Sequence, residues 1–167
     1  MKIRNVTVRI SAVSLAVVAI FTLLLLIYAI LSGDFGFLIW AIPSVLLLLI
    51  IPMALNYMSQ SHYADLIPVY EKDAKRTSIK AINLGMLNKP VRFEGVVERV
   101  HFRYFNRPQY LIADKSGEIS VKMFTSPQED IKAGDVVEVL GSIIKRYVLS
   151  GDAVVNCIRI KKIRKAQ

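Results

Sequence analysis

Four stretches, VRFEGVVERV (91–100), YLIADKSGEISVKMF (110–124), AGDVVEVLGSIIKRY (133–147) and GDAVVNCIRIKKI (151–163), decide how this chain is read. Each alternates apolar and polar residues with a period of two and is bounded by turn residues. This is the pattern left by short, half-buried strands of a small barrel. The first strand runs from Val91 to about Phe102, and Gly95 inside it marks a bulge or sharp bend. The second, Gln109 to Asp114, joins the third, Glu118 to Phe124, through the turn Lys115-Ser116-Gly117. Ser126-Pro127-Gln128-Glu129 reads as a capping box that opens a short helix, with Ser at the N-cap and Glu at the third helical position. Ala133-Gly134-Asp135 leads into a fourth strand, Val136 to Lys145, and Ser150-Gly151-Asp152 turns into a fifth, Ala153 to Ile163.

Upstream, the composition changes. The chain has 167 residues, 54% of them hydrophobic, and most of the excess lies between Ile10 and Tyr57. An apolar run without charge, about 10–31, follows the basic leader Lys2, Arg4 and Arg9. Its length matches the roughly 20 residues a helix needs to span a bilayer. A signal peptide has an apolar region about half as long, so an uncleaved anchor is expected. A second run, about 35–57, follows the turn Ser32-Gly33-Asp34-Phe35-Gly36, which makes a transmembrane helical hairpin. Pro43 and Pro52 are expected to kink its second helix, while Ala12, Ala16 and Ala19 let the two backbones approach. Neither run carries an ionisable side chain, which points to anchoring rather than transport.

Lys2, Arg4 and Arg9 before the spans and Lys72, Lys75 and Arg76 after them, against a hairpin turn that carries only Asp34, predict that both termini are cytoplasmic; the anchor is expected in the plasma membrane. The expected organisation is therefore an N-terminal membrane anchor at 1–57, a juxtamembrane connector at 58–77 broken by Pro68, and a mainly-β domain with a basic tail at 78–167. Tyr57, Tyr63 and Tyr70 suit the membrane interface. Residues 78–88 read as a cap or lead-in strand beneath the barrel.

From Ser78 onward 16 Lys and Arg stand against 9 Asp and Glu, so +7 of the net charge of +9 lies on the β domain. Such a domain suits a polyanionic partner, either nucleic acid or anionic lipid. With His62, His101 and Cys157 as its only soft ligands, one chain cannot assemble a usual zinc site, and no metal or cofactor is expected. Paired carboxylates at a diagnostic spacing and a Gly-rich phosphate loop are both missing. Cys157 reads as a buried strand residue, so no catalytic residue is assigned and the chain is not read as an enzyme.

Five strands with a short helix between the third and fourth is the arrangement of the OB-fold barrel. Val91-Arg92-Phe93-Glu94-Gly95-Val96-Val97, Tyr110 to Gly117 and Gly134 to Gly141 resemble the strand-one glycine, the strand-two Asp with its Gly-containing turn, and the Gly-Asp entry to strand four. These features recur in the nucleic-acid-binding OB-folds that include the anticodon-binding domains of aminoacyl-tRNA synthetases. The order of spans and barrel is also similar to the NfeD-like membrane OB proteins, where the barrel serves protein contacts.

The resemblance implies binding through the faces of strands two and three and through the loops joining strands one to two and four to five. Those loops, His101 to Pro108 and Lys145 to Ser150, interleave cations with aromatics, the composition that holds phosphates while stacking bases. Arg103, Tyr104, Phe105, Arg107, Lys145, Arg146 and Tyr147 are the candidate loop residues. Leu111, Lys122 and Phe124 are the candidates on the face, where Gln109, Ala113 and Ser120 also point outward and Phe124 is the only aromatic. Phe102 is expected to plug the core.

The expected function is that of a membrane-anchored cytoplasmic OB protein that binds single-stranded nucleic acid, or a nucleotide-containing polyanion, without strong sequence preference. The alternative is a protein-interaction barrel of a membrane complex, with Leu111, Ala113 and Val148 as contacts. In that case the loops and the tail Arg159, Lys161, Lys162, Arg164 and Lys165 could rest on anionic lipid.

Overall fold

The computed structural model describes residues 2–3, 6–7, 10–105, 107–147 and 151–164. Arg4, Arg9, Asn106, Val148, Leu149, Ser150 and Lys165 lie outside them, as do the side chains of Lys2 and Phe105. The chain divides into two units, Met1–Met58 and Ser59–Gln167.

In the first unit, two-residue strands at Lys2–Ile3 and Val6–Thr7 pair antiparallel. Helix α1 spans Ala12–Ser32, begins on Ser11, whose hydroxyl accepts from the Val13 N–H, and ends on Gly33 in the left-handed conformation at φ 69°. Asp34 accepts from the Phe37 N–H and opens helix α2, Gly36–Asp73. Both helices are long and apolar enough to cross a membrane. Leu31 and Trp40 are each more than four-fifths exposed, and the rings of Tyr28 and Phe37 meet edge-on.

Helix α2 does not end near Tyr57 as the sequence suggested. It continues to Asp73 through Pro43, Pro52 and Pro68. In the second unit its residues Gln60, Tyr63, Ala64 and Ile67 face Met123, Thr125, Ser126, Ile158 and Ile160 across a narrow cleft, and Glu71 pairs with Arg159. Positions 60, 63, 64, 67 and 71 share one helical face. Beyond Pro68 the ion pair of Glu71 with Arg159 joins this face to the sheet. Tyr63 accordingly lines this cleft.

The rest of the second unit is a six-stranded sheet domain. Its long strands are β1 (Pro90–His101), β2 (Gln109–Asp114), β3 (Gly117–Met123), β4 (Val136–Lys145) and β5 (Ala153–Arg164), and Lys75–Arg76 adds a short parallel edge to β1. The order is β1-β2-β3-β5-β4, with β1 also paired to β4. The β3–β5 contact is parallel and only three residue pairs long, Val121–Val155 to Met123–Cys157. This is the partly open Greek-key arrangement of the OB-fold.

β1 can serve two partners because it bends. Val96 is opposite both Ala113 of β2 and Val136 of β4, and the register slips between Val97 and Arg99. At that bulge the Val97 N–H donates to Asp135 O and its carbonyl accepts from the Gly134 N–H. Gly134 holds φ 87°, and the buried Asp135 carboxylate pairs with Lys162 Nζ at 2.7 Å. Gly95, just before the bulge, lies so close to β2 that an added Cβ would stand 2.6 Å from the Ala113 carbonyl oxygen.

The core comprises Val91, Phe93, Val97, Tyr110, Ile112, Ile119, Val121, Val137, Val139, Ile143, Val155 and Cys157, with Ile131 closing it from the β3–β4 connection. Burial pushes the Cys157 thiol up, consistent with a core residue. The lead-in is not a strand but two 3₁₀ turns, Ile79–Ala81 and Leu84–Met86, and Ile79 and Ile82 plug the core.

The helix expected between the third and fourth strands does not form; residues 124–135 run as bends and a turn. Glu129, the presumed capping-box partner, instead accepts from the Lys162 N–H of β5, and Lys162 Nζ donates to Asp130 O. Ile131 is drawn into the core. Tertiary bonds have taken the groups that a helix N-terminus would need.

The β2–β3 turn is held as expected, through Asp114. Its Oδ1 accepts from the Ser116 N–H and hydroxyl, both at 2.6 Å, and from the Gly117 N–H at 3.0 Å; Oδ2 accepts from the Ile79 N–H at 3.0 Å. Burial acts to raise this carboxyl. The hydrogen bonds from the Ser116 side chain and from the Ile79, Ser116 and Gly117 backbone outweigh it and hold the pKa below its ordinary 3.8.

Gly95→Ala destabilises the sheet domain by roughly 1–3 kcal/mol through overpacking against backbone. Gly117→Ala, whose Cβ would meet only Ile79 Cγ2 at 3.8 Å, stays within about 0.5 kcal/mol of the parent. Denaturant unfolding of the full chain in micelles, followed by the β signal in circular dichroism, compares them. A carboxyl with a lowered folded-state pKa stabilises fully above its unfolded value and loses that contribution as pH falls through the folded one. Stability therefore declines below pH 3.8 in the parent, and Asp114→Asn removes this part of the decline while lowering stability at neutral pH.

Candidate nucleic-acid interface

The bulge in β1 decides which side chains reach the outer face. Strict alternation from Val97 would turn Arg99 and His101 inward. The slipped register instead exposes both and turns Val100 onto the core. Arg99 lies opposite Leu111, which lies opposite Ser120; His101 lies opposite Gln109, then Lys122, then Asn156 of β5. Two rows thus cross the sheet, one through Arg99, Leu111 and Ser120 and the other through His101, Gln109, Lys122 and Asn156.

Polar side chains of these rows are tied at two points. Gln109 Nε2 donates to Ser120 Oγ at 2.6 Å, which fixes both side chains at the centre of the face. Lys122 Nζ donates to the Arg146 carbonyl at 3.1 Å and stands 5.9 Å from the centre of the Tyr147 ring. That distance is within cation–π range. A cation of the central strand and an aromatic of the β4–β5 loop therefore form one platform. Tyr147 is 64% exposed, so ring surface remains open for a planar ligand.

Of the other sequence candidates, Tyr104 and Arg107 stand exposed on the β1–β2 loop, Lys145 is exposed at the end of β4, and Phe124 is partly exposed just past β3. Leu111 is half-buried between Arg99 and Ser120. Phe105 lies with Arg103 and Tyr104 in a 3₁₀ turn. Arg103 is drawn away from the face and pairs with Asp130 of the β3–β4 connection. Phe102 is not a core plug. It turns at φ 56° directly after β1 and is 61% exposed.

Beneath the face, Tyr110 fills the core, where burial and then the neighbouring Cys157 push its phenol well above the usual range. It serves packing. Among the described residues no group of His, Cys, Asp or Glu is placed to hold a metal ion.

Arg99 and Asn156 were missed by sequence reasoning. For Arg99 a signal was present: in Val97-Glu98-Arg99-Val100 the apolar positions change parity, the mark of an inserted residue. Asn156 could not be assigned without knowing that β5 pairs parallel with β3.

No protein-family model matches the chain, and no curated protein matches it significantly. Solved structures with a similar fold include asparaginyl-tRNA synthetase from Pyrococcus horikoshii, 16% identical, with TM-score 0.47 over 56% of this chain and 23% of the synthetase. The telomere capping protein Ten1 from Schizosaccharomyces pombe is 19% identical, with TM-score 0.42 over 53% of this chain and 80% of its own. A replication protein A heterotrimer bound to ssDNA is 20% identical, with TM-score 0.39 over 47% of this chain and 60% of its own. The chain thus spans less than a quarter of the synthetase. All three scores lie below 0.5, and the fold assignment rests on the strand order and pairing described above.

Proposed function

We propose that this chain is a membrane-anchored OB protein that binds single-stranded nucleic acid through the outer face of β1, β2, β3 and β5 and the two adjoining loops. The observation that carries the reading is the Lys122–Arg146–Tyr147 platform, which sets a cation and an exposed ring side by side where the β4–β5 loop meets an OB face. Tyr147 and Tyr104 supply stacking surfaces, while Arg99, Arg107, Lys122, Lys145 and Arg146 meet phosphates. Arg103, Phe105, Leu111 and Phe124 border this path. These contacts set charge against phosphate and ring face against base, neither of which reads a base edge, so binding is tolerant of sequence.

In this reading α1 and the apolar part of α2 cross the plasma membrane. Lys2, Arg4 and Arg9 before the spans, and Lys72, Lys75 and Arg76 after them, keep both termini in the cytoplasm. Residues 1–57 form the anchor, 58–77 a connector that is helical to Asp73, and 78–167 the binding domain. The likeness to NfeD-like proteins rests on this order of spans and barrel.

Fluorescence anisotropy of the full chain in zwitterionic nanodiscs, titrated with labelled single strands, tests the proposal. Affinity should fall with salt along a log–log slope of roughly −2 to −4, as for three to five displaced counterions. Tyr147→Ala should lose about 1–3 kcal/mol of binding, one stacked base. Charge reversal at Arg107 and Arg146 should abolish binding. Salt-independent binding, or none at low salt, contradicts the proposal. A partner captured equally by the parent and the charge-reversed variant would favour an apolar protein contact instead.

A further inference from the structure

We infer that Asp130 occupies a phosphate subsite and competes with nucleic acid for Arg103, so that this part of the interface is held shut by the protein's own carboxylate. The inference rests on the proposed single-strand binding and adds its regulation.

Asp130 stands where three cations converge, two of them from remote parts of the sequence. Arg103 of the β1–β2 loop pairs with its Oδ1, Lys132 Nζ lies 4.0 Å from its Oδ2, and Lys162 Nζ of β5 donates to its main-chain oxygen at 2.8 Å. Asp130 itself cannot withdraw far, because Ile131 beside it is buried in the core and its carbonyl is held by Lys162. Arg103 and Lys132 are long side chains, 55% and 65% exposed, and can turn to another anion. Lys162 is already committed to the buried Asp135 at 2.7 Å and acts as a fixed support.

A carboxylate between two mobile cations has the charge and acceptor geometry of a backbone phosphate. Exposed ion pairs of this kind are weak, so a phosphate that is tethered through its neighbours on the sheet face can displace it. Arg103 would then extend the path of the strand from the face, past the 3₁₀ turn Arg103–Phe105, to the β3–β4 connection.

The test measures single-strand affinity of the full chain in zwitterionic nanodiscs with a labelled oligothymidylate, comparing the parent, Asp130→Asn, Arg103→Gln and the double variant. Glu98→Gln, an exposed carboxylate removed from another part of the surface, reports the general effect of losing one negative charge. The expected result is that Asp130→Asn tightens binding about three- to tenfold and steepens the salt slope by about 0.7, one further phosphate contact on a single strand. In the Arg103→Gln background the same substitution should change affinity no more than Glu98→Gln does. Equal gains with and without Arg103, or a gain matching Glu98→Gln, overturn the inference while leaving single-strand binding intact. Failure of every variant to bind, Asp130→Asn included, overturns both.

Discussion

One strand belongs to two halves of the sheet, and the remaining architecture depends on how it does so. β1 pairs with β4 from Pro90 to Val96 and with β2 from Val96 onward, and Val96 faces a partner on each side. A twelve-residue strand cannot make that change without a bend. Gly95 permits the close approach to β2, and the bulge after Val97 gives the turn. The backbone groups of Val97 are satisfied by Gly134 and Asp135, which couples the bend to the start of β4. A buried ion pair between Asp135 and Lys162 then ties that start to β5. Removing either partner alone would leave a largely buried charge without this counter-ion, which is strongly destabilising.

The same bend separates matched charges from cations on the outer side of β1. Before the bulge β1 presents Arg92 and Glu94, each matched by an opposite charge, Glu138 and Arg76, and it presents Glu98 at the bulge itself; beyond it the strand presents Arg99 and His101. Lys122, Arg146 and Tyr147 join the second set, so positive charge gathers on the face where an OB-fold binds its ligand. A field of one sign over a groove raises the encounter rate with a polyanion. Elsewhere, a chain of alternating charge runs from Glu71 through Arg159 and Glu138 to Arg92, connecting the last turns of α2 to three strands of the sheet. Through it, and through the apolar residues above Glu71 on the same helical face, the end of α2 belongs to the folded domain.

Sequence periodicity located all five long strands, the Asp114 turn and both apolar helices, because each depends on local pattern and turn chemistry. Where tertiary contacts outbid local signals, it failed. Ser126-Pro127-Gln128-Glu129 has the form of a capping box, but Lys162 of β5 claims the Glu129 carboxylate and Ile131 is needed in the core. Pro68 reads as a helix breaker, yet α2 continues past it, and Glu71 beyond it pairs with Arg159 of β5, 88 positions away. Within the site, the loop residues could be read from composition. Arg99 was missed although the parity change at the bulge marks it, Phe102 was assigned to the core although it turns at φ 56° just past β1, and the pairing of Arg103 with Asp130 spans 27 positions.

Photocrosslinking tests most directly the claim that the cationic and aromatic face binds single strands. A single-stranded RNA carrying 4-thiouridine, irradiated with the full-length protein in nanodiscs and mapped by mass spectrometry, should place its crosslinks on Tyr147, Lys122 and Tyr104. Peptides covering Glu94 to Glu98 should carry none. Crosslinks concentrated on Glu94 to Glu98, or spread without preference over the domain, would contradict the account.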